Sequence, residues 1–162
     1  MPPSAARSIR CATPASHVHV RQAGPSDARA IAEVFVASFE PLLSFLPQLH
    51  THDEDRAFVR DLVDRHEVWL AEDEGRVLGF AAISKAKLEQ LYVHPDEQGR
   101  GIGGTLLTKT KERRPAGFTL WVFQQNERAR RFYEARGLTL VQLTDGSGNE
   151  EKTPDALYEW RP

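Results

Sequence analysis

The sequence predicts one α/β or α+β domain, and three observations carry that prediction. The apolar residues switch along the chain between the alternation of a strand and the 3.6-residue spacing of a helix. The switches follow one another as strand, two helices, three strands, helix, strand, helix, two strands, the order of a mixed layered domain. The chain has 162 residues, 40% of them hydrophobic and 27% charged, which suits one globular unit with a single sizeable core.

Each element has a local reason. Residues 1–16 are rich in Pro, Ala, Ser and Arg and have no hydrophobic block. They read as a flexible tail ahead of a domain at 17–162, and not as a secretory signal. His17 to Arg21 alternates as a first strand. Pro25-Ser26-Asp27 opens a helix, with Ser26 or Asp27 placed to accept its free N–H groups, and Ile31, Val34, Phe35 and Phe39 give it one buried stripe. Pro41 and Pro47 break the segment from Glu40 to Asp53. Helical spacing resumes at 54–66 through Phe58, Leu62 and Val63. Val68 to Ala71 and Val77 to Ser84 form a hairpin about Asp73-Glu74-Gly75. Leu88 to Val93 is a further strand, ended by His94-Pro95-Asp96. After a glycine-rich stretch, a helix runs through Leu106, Leu107 and Thr110 to Pro115. Phe118 to Phe123 is continuously apolar, which predicts a strand buried on both faces. Asn126 to Arg136 is a helix with Asn126 as its cap and Gly137 just past its end. Strands at 138–143 and 156–160 close the chain, joined by the polar stretch 144–155.

Composition excludes several function classes. Lys and Arg number 21 and Asp and Glu 23, for a net charge of −2, so the broad basic field of a sequence-independent nucleic-acid binder is missing. No apolar run is long enough to span a bilayer. Cys11 is the one cysteine, which rules out an internal disulfide and a cysteine-rich zinc site. His50-Thr51-His52-Asp53 offers histidines two residues apart, which share no helix face, and they read as loop histidines. Lys109, Lys111, Arg113 and Arg114 read as a solvated helix face. The expectation is a cytoplasmic protein with no metal and no nucleic-acid or membrane partner.

The chemistry is concentrated in Gln98-Gly99-Arg100-Gly101-Ile102-Gly103-Gly104-Thr105, between a strand and a helix. Glycines there leave successive backbone N–H groups uncovered, and the helix adds the positive end of its dipole; both favour phosphate. Gly99, Gly101 and Gly104 formally fit the dinucleotide pattern. That pattern belongs to a chain's first strand–turn–helix unit, with an acid about 20 residues on, and the next strand here ends in Phe123-Gln124-Gln125. A Walker A loop would need a lysine before Thr105, where Gly104 stands.

Gln98-x-x-Gly101-x-Gly103, directly after Leu91-Tyr92-Val93-His94-Pro95, resembles the acyl-CoA pyrophosphate loop of the GNAT superfamily of N-acetyltransferases. A second match follows downstream: Asn126-x-x-Ala129-x-x-Phe132-Tyr133, then Gly137-Leu138. The resemblance covers nearly the whole chain, from His17 to Trp160. It implies a single mixed, mostly antiparallel central sheet of about six to seven strands flanked by about four helices. Acetyl-CoA is implied as co-substrate, its pyrophosphate on the backbone of Gln98 to Thr105 and its pantetheine arm along Leu91, Tyr92 and Val93. The strand carrying those three is expected to splay from its neighbour. Asn126 and Ala129 would line the pantetheine, and Tyr133 would sit near the sulfur. The acceptor, a small-molecule or peptide amine, would enter between the segments 39–53 and 145–155. The oligomeric state is open, a homodimer included.

Acetyl transfer from a thioester to an amine needs the amine deprotonated, a donor for the oxyanion and a partner for the departing thiolate. Glu89 is an acid on a strand otherwise carrying Leu88, Leu91 and Val93, where a carboxylate is costly to keep charged and suits a general base; Gln90 or a water is the alternative. A phenol is a weaker acid than a thiol, so Tyr133 is expected to hydrogen-bond the thiolate. The acids at 145, 150, 151 and 155 would attract a cation. A different class stays open: an acyl-CoA-binding sensor or partner domain of the same fold, which would need neither Glu89 nor Tyr133.

Overall fold

The structure, a computed structural model, describes residues 17–162; the expected tail at 1–16, with Cys11, lies outside the described residues. The elements are β1 (His19–Gln22), α1 (Ala28–Phe39), α2 (His52–Arg65), β2 (Glu67–Asp73), β3 (Arg76–Ile83), β4 (Leu88–Val93), α3 (Ile102–Arg113), β5 (Phe118–Phe123), α4 (Glu127–Ala135), β6 (Thr139–Leu143) and β7 (Asp155–Trp160). Short 3₁₀ turns lie at Pro25–Asp27, Glu40–Ser44 and Pro95–Glu97. The element order is the one the periodicity predicts.

All strand pairs of the two sheets are antiparallel. The first sheet has order β1-β2-β3-β4 and the second β5-β7-β6. The expected single sheet of about six to seven strands is thus seven strands divided into a four-stranded and a three-stranded sheet. They meet at one point, a parallel bridge between Lys87 and Thr119, where the Thr119 N–H donates to the Ala86 carbonyl at 3.1 Å. Beyond that bridge β4 and β5 diverge, and the wedge between them is where the site forms.

Two apolar clusters hold the layers. On one face of the first sheet, Ile31, Val34 and Phe35 of α1 and Val59 and Leu62 of α2 pack on Val68, Leu70, Phe80 and Ala82. On the opposite side, Ile102, Leu106 and Leu107 of α3 and Tyr133 of α4 pack with Leu120 of β5 and Ala156 and Tyr158 of β7. Full burial of a leucine or isoleucine contributes about 1.5–3 kcal/mol, so these clusters fix both helix pairs firmly on the sheets. The β2–β3 turn is closed by Glu74 and Gly75, both at positive φ (49° and 77°), the twist that a two-residue hairpin loop requires.

Four local expectations are corrected. α1 has no side-chain cap; the Asp27 carboxylate is held by Arg21 (2.8 Å) and by the Gly24 N–H (2.8 Å). α2 begins earlier than the apolar spacing suggests, because Thr51 and Glu54 form a reciprocal capping box, which puts His52 in the helix. β5 is buried on one face only: Phe118, Leu120 and Val122 enter the core, while Trp121 is 43% exposed. Helices cover one side of the second sheet, so an apolar run there also lines a cavity. The basic run on α3 is not simply solvated: Arg113 and Arg114 both pair with Glu67, and Lys109 lies 4.8 Å over the Trp69 ring.

Candidate active site

The divergence of β4 from β5 opens a cleft of about 850 Å³ between β4, the start of α3, α4 and the end of α1. β4 pairs with β3 along its length, so beyond Lys87 its other edge faces this cleft. The chain end of β4 is pinned through one carbonyl. The Val93 oxygen accepts from the Ser38 hydroxyl of α1 (3.1 Å) and from the Gln98 side-chain amide (3.2 Å).

One wall is backbone. α3 starts at Gly101, which sits in the left-handed region (φ 79°) and has no side chain to cap the helix. The first N–H groups of any helix have no partner inside it, and here they open on the cleft beside Gly99, Gly103 and Gly104. A side chain at Gly103 would come within 3.3 Å of the Phe132 ring, so its absence brings α3 and α4 close. The loop is fastened from behind: Arg100 pairs with Glu97 (2.5 Å) and Asp73 (3.4 Å), which ties it to the β2–β3 turn.

The facing wall is α4. Asn126 caps it, accepting from the Ala129 N–H at 3.2 Å, and Ala129, Phe132, Tyr133 and Arg136 face the cleft. Tyr133 is buried, and among the described residues no hydrogen bond is made by its hydroxyl, which borders the cleft. Burial, with a smaller push from Tyr92, raises its pKa well above that of an ordinary phenol. It therefore keeps its proton at any working pH and is a standing hydrogen-bond donor. Although part of Tyr92 stays accessible along the cleft, burial pushes its hydroxyl up to about 12, with Glu151 adding to the rise. Tyr92 and Tyr133 thus face one cleft from β4 and α4.

A second cavity of about 600 Å³ is bounded by β5 and by the β6–β7 connection. Phe45, from the turn after α1, meets Phe123 of β5 at 6.4 Å between ring centroids and stands between the two spaces. The α1–α2 connection reaches the β6–β7 connection through His50, whose Nε2 lies 2.7 Å from Glu150 while its Nδ1 lies 3.2 Å from Glu54. Burial alone would lower the pKa of His50; the hydrogen bonds to Glu54 and Glu150 outweigh it and raise it.

Of the residues singled out from sequence, Leu91, Tyr92, Val93, Gln98, Gly99, Gly101, Ile102, Gly103, Gly104, Asn126, Ala129 and Tyr133 line the cleft. Arg100 and Thr105 do not: the Arg100 side chain turns back to its acids, and the Thr105 hydroxyl donates to the Gly101 carbonyl at 3.0 Å. Glu89 is half-buried on β4 just outside the cleft lining. It is the extra residue of a β-bulge, skipped as pairing passes from Ile83↔Leu88 to Ala82↔Gln90. Pro41, Leu42 and Phe45, from the segment 39–53 expected beside the acceptor, also line this cleft, whereas sequence reasoning missed Ser38 and also Arg128 and Arg136. The two arginines were legible, because they extend the Ala129, Phe132 and Tyr133 face of α4 by whole turns. Ser38 was not, since its place depends on how α1 packs against the end of β4. Among the described residues no group of three or more potential metal ligands is assembled, and no helix is long and apolar enough to cross a membrane.

Comparison with known proteins agrees with this geometry. The family described as acetyltransferase (GNAT) domain matches residues 64–138, which include the glycine loop and α4. The chain is 30% identical over 136 residues to YhfO of Bacillus subtilis, an uncharacterized N-acetyltransferase, covering 74% of this chain and 89% of that protein. It is 29% identical over 143 residues to the peptidyl-lysine N-acetyltransferase YiaC of Escherichia coli, covering 87% of this chain and 95% of that one. Its fold is that of YncA from Salmonella typhimurium, a putative acetyltransferase solved with its cofactor acetyl-CoA, with a TM-score of 0.66 at 23% identity over 90% of this chain and 94% of that one. The chain belongs to the GNAT family of acetyltransferases.

Proposed function

We propose that this protein transfers the acetyl group of acetyl-CoA to a primary amine by direct attack in a ternary complex, a lysine side chain being the acceptor class that the likeness to YiaC favours. The observation that carries the reading is the uncapped start of α3 on a wedge-shaped cleft between β4 and β5. A helix start left without a side-chain partner is a ready site for an anionic group. The cleft runs from there past the free edge of β4 to the Tyr133 hydroxyl.

In this scheme the N–H groups of Gly101 to Gly104 hold the pyrophosphate. The backbone of Leu91 to Val93 takes the pantetheine arm and the developing oxyanion, with Asn126 and Ala129 along its other side. The amine nitrogen attacks the thioester carbonyl, a C–N bond forms, and the C–S bond breaks with its electron pair going to sulfur. Tyr133 donates a hydrogen bond to that sulfur. Glu89, at the bulge just outside the cleft, receives the amine proton through a water. Fixed donors in a site shielded from bulk water are worth more than the same donors in solution. The test is a panel of amines, lysine peptides included, offered with acetyl-CoA while free thiol is measured. Amine-dependent thiol release supports the reading. Tight acetyl-CoA binding with no release for any amine overturns it in favour of a sensor domain.

A further inference from the structure

Four acids lie between residues 145 and 155, and the structure separates one from the other three. Asp145 accepts from the Ser147 N–H at 2.9 Å within its own turn. Asp155 is held by the Thr144 hydroxyl and by the Asn149 side-chain amide at 3.1 Å. Glu150 is joined to His50 at 2.7 Å. The cation of the same stretch, Lys152, donates to the Ser147 carbonyl at 2.8 Å. Among the described residues the Glu151 carboxylate has no hydrogen bond or ion pair, and it is half-buried. A carboxylate with no protein partner is left to pair with a cationic ligand.

Its surroundings specify that ligand. Glu151 lines the 600 Å³ cavity together with Trp121 and Phe123, the two aromatic rings that β5 keeps out of the core. Aromatic faces beside a carboxylate attract a cation and tolerate an alkyl chain next to it. The cavity adjoins the reaction cleft at Phe45, which lines the cleft and meets Phe123 of the cavity at 6.4 Å between ring centroids. The cavity and the cleft are therefore neighbours, with Glu151 on the cavity side.

We infer that Glu151 captures the protonated acceptor amine, holding the ammonium in the cavity beside the cleft while Trp121 and Phe123 receive the alkyl chain that carries it. The inference rests on the acetyltransferase reading for its meaning and deepens it to a substrate class, alkyl ammonium acceptors such as lysine side chains. Glu151 is then a specificity-determining residue. At neutral pH a lysine-like amine is almost wholly ammonium, so a site that binds the charged form draws on the abundant species and leaves deprotonation to a later step.

The test measures binding, so it does not depend on turnover. Protein saturated with CoA is titrated by calorimetry with Nα-acetyl-lysine methylamide and with the uncharged isostere Nα-acetyl-norleucine methylamide, in wild type and Glu151→Gln. The expected result is a loss of lysine-probe affinity of about 10- to 100-fold in the variant, the range for a hydrogen bond to a charged group. Affinity for the norleucine probe and for CoA should be unchanged. Equal loss for both probes, no loss, or no binding of the lysine probe to wild type each overturns the inference. A wild type that binds the lysine probe through Glu151 yet acetylates no amine supports the inference and overturns the enzyme reading.

Discussion

Helices α3 and α4 both begin at the cleft and treat their free N–H groups in opposite ways. α4 starts with Asn126, whose side chain accepts from its own first turn; α3 starts with Gly101, which has no side chain to offer. The wall of the cleft that the proposed function gives to the cofactor is accordingly made of backbone, exposed by glycine and held from behind by Arg100. The second cavity, which that reading gives to the acceptor, is lined by side chains of β5 and of the β6–β7 connection. A backbone cradle suits a ligand part that is the same in every turnover, whereas side chains can be exchanged to suit a different acceptor. This gives a physical reason for one fold to serve many amines.

The largest expected effect falls between the two halves. If Glu89 takes the amine proton, Glu89→Gln should lower kcat by about 10²–10⁴-fold, the usual cost of removing a general base. Affinity for acetyl-CoA and for the amine should hold. The wild-type rate should climb with pH, and the slow residual rate of the variant should track only the free amine in solution. Matching pH–rate profiles would clear Glu89 and leave a backbone-held water as the acceptor of the proton.

Gly101→Asp attacks the backbone half alone. It sets a negative charge where phosphate must approach, and like-charge juxtaposition costs several kcal/mol, so acetyl-CoA affinity should fall by about 100-fold or more. Nothing lies within 4 Å of a Cβ built there, but the positive φ of 79° strains any side chain, so the melting temperature should fall modestly while the protein still folds. Calorimetry with acetyl-CoA checks this. Unchanged affinity in a folded variant would move the pyrophosphate elsewhere.

Tyr133→Phe keeps the ring in the core and deletes the hydroxyl that borders the cleft. Loss of a hydrogen bond to a developing charge should lower kcat by about 10- to 100-fold, with acetyl-CoA affinity and stability almost unmoved. Equal turnover in the two proteins would make Tyr133 a packing residue.

The smallest effect sharpens the acceptor side. The raised pKa of His50 means that its pairing with Glu54 and Glu150 stabilises the fold fully below the ordinary histidine value. That contribution fades as pH rises through the raised one. His52 and Asp55 stand nearby and act on the same charges. The groups are exposed, so the contribution is below about 1 kcal/mol, and His50→Gln should lower the melting temperature at pH 5 by less than about 4 °C. At pH 8.5 the difference should vanish. A deficit independent of pH would show that His50 acts by packing.

Backbone recognition can be read from a sequence, because the glycines that expose N–H groups and the helix that follows them are contiguous. Gln98 to Gly104, the Asn126 cap and the Ala129–Tyr133 face of α4 were legible for that reason, as was the order of strands and helices, which follows from local periodicity. Phe118 to Phe123 shows the limit: its apolar run established a strand and its hidden face, yet whether helices cover one side or both is settled by distant segments. The wedge between β4 and β5 is a tertiary fact of the same kind. It arises because a single bridge at Lys87 and Thr119 joins two separately twisted sheets, and no local pattern encodes where two sheets part. Residue types alone made Asp145, Glu150, Glu151 and Asp155 equivalent. Only the folded chain gives three of them partners and leaves the Glu151 carboxylate, on the lining of a cavity with Trp121 and Phe123, for the role inferred above.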